Sequence, residues 1–142
     1  MKPPLKKIIS FTLVLTVLLA VTPLVPTALA QSFRIGDFSY RQMDNNSVQI
    51  TGYHGNAAHL TIPGTVDGFI GNVLQPNHFR VTGIGGDVFA ESTTLVTVTV
   101  PDSVEHIGVR AFRRATSLTD VILGSGVRWI EFEAFNGCAS EQ

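Results

Sequence analysis

The chain of 142 residues contains one cysteine and, beyond its first seven residues, no lysine. The single thiol, Cys138, has no second cysteine to pair with, so a fold held by internal disulfides is excluded. Residues 31–142 carry seven arginines against eleven acidic residues, a net charge of −4. A mildly acidic domain without lysine suits neither nucleic acids nor anionic membranes as partners. We therefore expect stability to come from packing, and we expect no nucleic-acid partner.

A long apolar run is confined to the N-terminus, at residues 8–20. Three lysines precede this run, and small residues follow it at Ala28 and Ala30. This order is typical of a secretory signal peptide, which we expect to occupy residues 1–30 and to be cleaved after Ala30. The protein is then secreted or on the cell surface, without a membrane span after cleavage. The alternative is an uncleaved anchor, since the run extended through the following prolines has about 18 residues, the short end of a bilayer span.

Phenylalanines recur at equal intervals, at positions 89, 112 and 135. When residues 95–117 are aligned with 118–140, seven positions are identical, against about one or two expected from ordinary composition. Six of the seven are apolar, which is the pattern of a shared core. The identical pairs are Leu95/Leu118, Val98/Val121, Val104/Val127, Ile107/Ile130, Ala111/Ala134, Phe112/Phe135 and Ser117/Ser140.

An earlier copy of the unit, beginning near Leu60, is interrupted. Its proline and phenylalanine are Pro63 and Phe89, which lie much farther apart in the chain than Pro101 and Phe112 of the next copy. The difference predicts an insertion at residues 67–80. We expect this insertion to form a loop that bulges from the first coil and exposes Phe69 and Phe79.

A unit of about 23 residues is too short for a pair of helices but fits one turn of a leucine-rich solenoid. In the segment LVTVTVP, valines alternate with threonines, which is typical of a half-buried strand, and Pro101 ends it. Equivalent strands are expected near residues 59–62, 96–100 and 119–123, stacked in a parallel sheet about 4.8 Å apart. The phenylalanines form an aromatic spine on the opposite side. The predicted fold is therefore mostly β, a short solenoid of about three coils at residues 59–142.

Residues 31–58 do not follow the repeat. Two segments of alternating polarity, DFSYRQ and SVQITG, flank turn residues 43–46, which tolerate left-handed backbone geometry. This pattern predicts a β-hairpin that covers the first coil as an N-terminal cap.

The unit L-x-x-V-x-V-P-x-x-V-x-x-I-G-x-x-A-F resembles the bacterial BspA-type leucine-rich repeat, which occurs in secreted and surface proteins. The segment VQITGYHGNAAHLTIPGTVDG is also similar to the one that commonly leads into the first repeat of such proteins. The resemblance covers roughly residues 38–140. It implies a leucine-rich-repeat solenoid, binding to a ligand or matrix, and attachment to a surface, without implying a particular ligand. The third copy departs from the motif, with Gly124 and Glu131 in place of the proline and the glycine.

Residues that could support catalysis or metal binding do not form a recognised pattern. The four histidines have no metal-ligand spacing, and GIGGD at residues 83–87 is not followed by the lysine of a phosphate loop. Cys138 aligns with small residues of the other copies, which favours a buried structural role. Glu131 and Glu133 are expected to point outward as solvated acids, and Arg113 belongs to a basic cluster expected to form surface ion pairs. We expect no catalytic residue, metal or cofactor.

Parallel strands place alternating side chains on the open surface of a sheet, and solenoids use such surfaces for partners. This geometry predicts a small polar strip that binds a protein or glycan, so the function expected is a non-enzymatic exported binding or adhesion module. One alternative is a structural or vestigial fragment of a longer surface repeat protein. Another is a small β-helical enzyme acting on polysaccharide. The predicted strip consists of His59, Thr61, Thr97, Thr99, Asp120 and Ile122.

The sequence runs out within a repeat unit, at FNGCASEQ, so the last repeat is interpreted as truncated. Glu141 stands at the position that begins the strand in earlier copies. The strand near residues 119–123 would then be an open edge, which is a template for another chain. We therefore expect self-association through the C-terminal coil.

Overall fold

The computed structural model describes residues 32–68 and 77–139, and its regular elements within these ranges are ten strands. The predicted signal peptide and its cleavage point lie outside the described residues. No described residue belongs to a helix long and apolar enough to cross a membrane. The strands are β1 (Ser32–Ile35), β2 (Phe38–Gln42), β3 (Ser47–Tyr53), β4 (His59–Thr61), β5 (Thr65–Gly68), β6 (Asn77–Ile84), β7 (Thr97–Val100), β8 (His106–Ile107), β9 (Asp120–Leu123) and β10 (Trp129–Ile130).

The strands form two sheets that run along the solenoid. Sheet A has the order β1-β2-β3-β6-β8-β10, with β5 also paired to β6, and sheet B has the order β4-β7-β9. Each coil contributes strands to both sheets, where the first coil (coil 1) spans positions 59–94, the second (coil 2) spans 95–117 and the third (coil 3) spans 118–139. All pairs between successive coils are parallel. The predicted mostly-β solenoid with stacked parallel strands is confirmed.

Alternation along each strand divides the core from the surface. In β7, Val98 and Val100 are buried, whereas Thr97 and Thr99 are half-buried on the other face. The segment after β7 turns inward at Val104, and β8 buries Ile107 completely. Since one coil alone has no partner for these side chains, their burial depends on the coils stacked on either side.

The phenylalanines of the three coils stack as predicted. The ring centroids of Phe89 and Phe112 are 4.8 Å apart at 8°, and those of Phe112 and Phe135 are 5.0 Å apart at 6°. Tyr53, at the end of β3, continues the row with its ring centroid 5.4 Å from that of Phe89. The aromatic spine therefore joins the coils to the N-terminal strands.

Two positions in each phenylalanine turn have left-handed backbone geometry, which residues other than glycine rarely adopt. Arg110 has a φ of 58° and donates its N–H to the Phe132 carbonyl at 3.1 Å, and Arg114 has a φ of 54° and donates to Asn136 at 2.8 Å. The geometry thus lets each turn bond to the next coil. The residues at the first position are Asp87, Arg110 and Glu133, and those at the second are Glu91, Arg114 and Gly137.

The predicted β-hairpin cap is confirmed as β2 and β3. Its turn is held by Asp44, whose carboxylate accepts hydrogen bonds from the Asn46 N–H and the Ser47 hydroxyl. Strand β3 then pairs in parallel with β6, placing Ile50 beside Ile84, so the cap extends sheet A. Strand β1, which the sequence analysis did not predict, adds a further antiparallel strand beside β2.

The predicted exposed loop at residues 67–80 is wrong at both ends. Strand β5 pairs antiparallel with the first half of β6, so a β-ribbon occupies the described part of the insertion. Phe79 is fully buried because its ring packs against that of Phe33 on β1, with centroids 6.0 Å apart. Phe69 lies outside the described residues, as do residues 70–76.

Candidate ligand-binding face

The six residues of the predicted strip stand in two rows across sheet B. Pairing of β4, β7 and β9 aligns His59 with Thr97 and Thr97 with Asp120 in one row, and it aligns Thr61 with Thr99 and Thr99 with Ile122 in the other. Neighbouring strands of a sheet lie about 4.8 Å apart, so the side chains of each row follow one another at this regular spacing. We call these six residues the strand face.

The strand face combines hydrogen-bonding groups with small apolar groups. The imidazole Nδ1 of His59 lies 3.3 Å from the Thr97 hydroxyl, which links coil 1 to coil 2. Asp120 accepts a hydrogen bond from the Thr119 hydroxyl at 2.8 Å, and Ile122 leaves 57% of its surface exposed at the edge of the sheet. Hydroxyls, an imidazole and a carboxylate can each bond to polar groups of a partner. The face can therefore bind a hydrogen-bonding surface, and it presents no positive side chain except His59 when protonated.

Charged side chains on other surfaces are held in ion pairs between coils. His106 Nε2 lies 2.9 Å from a Glu131 oxygen, and Arg110 Nε lies 3.0 Å from a Glu133 oxygen. Arg113 Nε also approaches Glu133, at 3.7 Å. Pairs this exposed contribute little to stability. Glu131 and Glu133 thus lie at the surface, as the sequence predicts, and they are held in ion pairs where solvated carboxylates were expected.

Asp102, in coil 2, joins the turns of two coils. It accepts hydrogen bonds from the Ser125 N–H at 2.7 Å and from the Ser125 hydroxyl at 3.0 Å. These bonds, the N–H first, hold the pKa of the Asp102 carboxyl below its ordinary value. In the cap, the Ser47 hydroxyl and then the Asn46 N–H lower the pKa of Asp44 in the same way. Both carboxylates are structural.

The sequence analysis missed a cleft on the cap. Its volume is about 470 Å³, and Ser39 and His54 lie within it with the Ser39 hydroxyl 2.8 Å from the His54 Nε2 atom. A serine beside a histidine is the pair used by nucleophilic enzymes when a third group orients the histidine. Among the described residues, no carboxylate is hydrogen-bonded to His54, so the cleft is a polar surface feature. Its lining is Ser32, Phe33, Arg34, Ser39, Thr51, Gly52 and His54.

Metal-ligand clusters are absent from the described residues, in which no group of three or more histidine, cysteine or acidic residues could hold an ion. Cys138 is buried, and its thiol donates to the Phe112 carbonyl oxygen at 3.1 Å. Burial of Tyr40 in the cap raises the pKa of its hydroxyl to about 12. These groups belong to the core.

Stacked coils that share one repeat unit, with parallel strands on two faces and an aromatic spine, define a leucine-rich-repeat solenoid. Residues 73–142 match the family described as "BspA type Leucine rich repeat region (6 copies)". This region of the chain belongs to the BspA-type leucine-rich repeat family. The chain matches no curated protein.

Solved structures of bacterial leucine-rich repeat proteins are similar to this chain. A leucine-rich cell surface protein from Faecalibacterium prausnitzii is 31% identical with a TM-score of 0.57, over 68% of this chain and 24% of that protein. The leucine-rich repeat protein of T. pallidum is 29% identical with a TM-score of 0.65, over 78% of this chain and 47% of that one. A Bacteroides capillosus leucine-rich repeat protein, 22% identical, has a TM-score of 0.61 over 77% of this chain and 93% of that protein and shares the fold. This chain therefore spans about a quarter of the first protein and about half of the second.

Proposed function

We propose that this chain is a non-enzymatic, exported binding or adhesion module that captures a protein or glycan on its strand face. The observation that carries the proposal is the alignment of six side chains in two straight rows over three coils. Solenoids commonly use such an extended surface for partners. The rows lie over a fully buried layer that includes Val98, which fixes the strands below them.

The chemistry of the strand face favours a macromolecule over a small molecule. Small ligands are usually enclosed in concave, mostly apolar pockets. The strand face is a sheet surface, and the 470 Å³ cleft around Ser39 lies on the cap instead. Threonine hydroxyls and methyl groups in rows suit a partner with repeated polar groups, such as an extended peptide or a glycan chain. Because Asp120 is acidic, a neutral or basic partner is favoured.

Export of the chain is part of the proposal. Support comes from the lysine-rich start, the apolar run and the Ala28-x-Ala30 ending, and from a similar protein that is described as a cell surface protein. N-terminal sequencing of protein recovered outside an expressing cell should begin at Gln31. Secreted protein that begins at Met1, or no secreted protein, would contradict export without affecting the strand face.

The alternative of a small enzyme that acts on polysaccharide has less support than the binding module. Glycoside hydrolysis usually needs two carboxyl groups that flank the scissile bond. Asp120 is the single carboxylate in the strand face, while Glu131 and Glu133 are engaged with His106 and Arg110. The structural-fragment alternative predicts no ligand at all, so a binding experiment separates it from the proposal.

Arginines placed within the rows test the proposal. The double variant Thr97→Arg/Thr99→Arg fills the centre of the strand face with long charged side chains. Thr94→Arg/Thr116→Arg is the matched control, because both threonines are exposed and lie in turns outside sheet B. The proteins are applied to an array of extracellular-matrix proteins and to a glycan array, and circular dichroism checks their folding.

We expect the wild type and the control to bind the same array members and the strand-face variant to lose that binding. Equal binding by all three proteins would contradict the strand face. Substitution of His54 by alanine would then test the cap cleft. If the folded wild type binds nothing on either array, the structural-fragment alternative is favoured.

A further inference from the structure

The cleft on the cap is built by strands β1, β2 and β3 of sheet A. Strand pairing places Arg34 opposite Ser39 and Ser39 opposite Gly52, so these three residues form one row across the cap. Gly52 leaves a gap in this row, because a Cβ placed on it would lie 3.5 Å from His54 Nε2 and 3.6 Å from Ser39 Cβ. The gap and its surroundings make up the cleft of about 470 Å³, which we call the cap cleft.

A bulge in the hairpin adds a hydroxyl group to the cap cleft. Ser39 pairs with Gly52 and Tyr40 pairs with Ile50, so Thr51 is the extra residue between the two pairs. Bulges re-aim the side chains of the strand that carries them. Thr51 is exposed and lines the cleft together with the hydroxyls of Ser32 and Ser39. Each of these hydroxyls can both donate and accept a hydrogen bond.

The charge of the cap cleft is opposite to that of the protein. Its ionisable side chains are Arg34 and His54, and no carboxylate lines it. Asp37, in the turn between β1 and β2, lies beside Gly55 instead, where a Cβ would come within 2.8 Å of the Asp37 carboxylate. Residues 31–142 are acidic as a whole, so the cap cleft is a local positive site that attracts anions.

The guanidinium of Arg34 is oriented but is not neutralised. Its Nε donates to the Gly36 carbonyl oxygen at 3.1 Å, which fixes the plane of the group. Arg34 has no ion pair among the described residues, and within the same part of the chain its two terminal nitrogens have no hydrogen-bond partner. Two N–H donors in one plane match the two oxygens of a carboxylate.

A second polar cleft shows what an arginine does when an acid is beside it. This cleft has a volume of about 520 Å³ and contains Asp44, Arg80 and Glu105. A terminal nitrogen of Arg80 lies 3.4 Å from a Glu105 oxygen, so its charge is already paired. The second cleft therefore cannot attract an anion as the cap cleft can.

We propose that the cap cleft binds an acidic sugar, with the sugar carboxylate on Arg34 and the sugar hydroxyls on Ser39 and Thr51. One unpaired cation suits one anionic group, and the surrounding hydroxyls suit a ligand that has several hydroxyls of its own. The Nδ1 atom of His54 has no partner among the described residues and can also bond to the ligand. The volume of about 470 Å³ is within the range of small-ligand sites, about 300–1,000 Å³.

The cap cleft and the strand face are separate sites. The cleft lies on sheet A of the cap, whereas the strand face lies on sheet B of the coils. Acidic-sugar binding therefore goes beyond the proposed function, and either site can fail without the other. Loss of the Arg34 charge should leave capture by the strand face unchanged.

Titration of the purified chain by NMR with three small molecules tests the site. Glucuronate has a carboxylate and hydroxyls, glucose has the hydroxyls alone, and acetate has the carboxylate alone. We expect glucuronate to shift the amides of Ser39, Thr51 and Gly52 and the ring signals of His54, with saturation in the millimolar range. Glucose and acetate should each bind at least about tenfold more weakly, because each lacks one set of hydrogen bonds. Absence of a saturable shift with glucuronate, or equal binding of acetate or glucose, overturns the proposal.

Two variants locate the binding. Arg34→Gln removes the cation and should weaken glucuronate binding at least about tenfold. Arg128→Gln is the matched control, because Arg128 is exposed, has no ion pair among the described residues and lies at the start of β10, at the far end of sheet A. Gly52→Ala should weaken binding by filling the gap. Its methyl group meets ordinary contact distances outside the left-handed region, so circular dichroism should not change. Unchanged glucuronate binding in Arg34→Gln, or an equal loss in Arg128→Gln, overturns the assignment to the cap cleft.

Discussion

In sheet A, strand β3 of the cap covers coil 1 at the N-terminal end of the solenoid, whereas at the other end the described residues leave coil 3 uncovered. The same repeat position illustrates the difference, since Ile84 in coil 1 is fully buried and Ile130 in coil 3 is 50% exposed. Both side chains occupy equivalent positions in sheet A, joined through Ile107. The burial of a repeat residue is therefore set by what stacks on its coil, and its own motif does not determine it.

The cap extends sheet A beyond coil 1 with elements that are not repeats, whereas β4 remains an edge strand of sheet B. Strand β3 continues the parallel ladder of sheet A, and Tyr53 takes the place of the next ring in the aromatic spine. The chain then reverses, and β2 and β1 continue sheet A as antiparallel strands. Sheet A therefore ends at this side in the antiparallel strand β1, and no repeat coil with an exposed apolar face forms its end. Coil 3 has no such closure among the described residues.

The largest expected loss of stability is that of the inner ring of the aromatic spine, and it should exceed the loss for the outer ring. Phe112→Ala removes a fully buried ring between two others and should destabilise the fold by about 3–5 kcal/mol. Phe135→Ala removes a half-buried ring and should lower the stability by about 2 kcal/mol, since less surface and a smaller cavity are involved. Urea unfolding measures both. Similar losses would contradict the difference between the two ends.

A total stability of roughly 5–15 kcal/mol is typical of a domain, so Phe112→Ala should be close to unfolding. The two variants differ only in the coil that carries the missing ring.

A smaller effect is expected at a close approach between the second and third coils. The chain passes coil 2 at Gly124 and Gly126, and a methyl group on Gly126 would overlap the carbonyl oxygen of Asp102. Gly126→Ala should therefore destabilise the protein by about 1–3 kcal/mol through overpacking. Gly64→Ala is the control, because its nearest neighbour would be the Ser103 hydroxyl at 3.3 Å, the end of a side chain. A neutral Gly126→Ala, measured by thermal melting, would mean that coil 3 packs less closely than described.

The smallest expected effect on stability comes from two carboxylates, Asp44 and Asp102, and from their protonation in acid. We expect it to be similar at both positions. The pKa values of Asp44 in the cap and Asp102 in coil 2 are both lowered in the folded protein. Such a carboxylate stabilises the fold above its unfolded pKa, about 3.9. That contribution is lost as the pH falls through the lowered folded pKa. Asp44→Asn and Asp102→Asn should therefore melt slightly below the wild type at neutral pH.

The deficit of both variants should shrink as the pH falls below about 4, because the unfolded wild type then takes up protons at these carboxyls, and it should be smallest below the lowered pKa of the folded state. Melting curves over a pH series measure this convergence. A deficit that stays constant down to acidic pH would mean that the carboxylate charge is not what Ser47 and Ser125 stabilise. If the Asp44→Asn and Asp102→Asn variants lose equally little stability, the two ends of the solenoid differ in apolar packing and not in these hydrogen bonds.

Much of the coil architecture could be predicted because the repeat carries its own alignment. The equal spacing of Phe89, Phe112 and Phe135 specifies which side chains stack, and the alternation of Thr97 and Val98 specifies which face is buried. The neighbours in the strand face follow from the same alignment. Their binding role remains a prediction, since stacking positions side chains without specifying a ligand.

Features that depend on non-repeating contacts could not be predicted. The burial of Phe79 does not follow from the repeat pattern, because its ring packs against Phe33 on β1, a strand outside every repeat. The Ser39–His54 contact lies beside a bulge in the hairpin between Ser39 and Tyr40, and alternation alone does not reveal that bulge. Both errors concern the cap and the insertion, where the sequence has no second copy to compare.

Amide hydrogen exchange tests most directly the claim that the cap protects one end of sheet A while the described residues leave the other end uncovered. The amides of β9 and β10 should exchange much faster than those of β3 and β6. Exchange in β9 and β10 that is as slow as that in β3 and β6 would contradict the account.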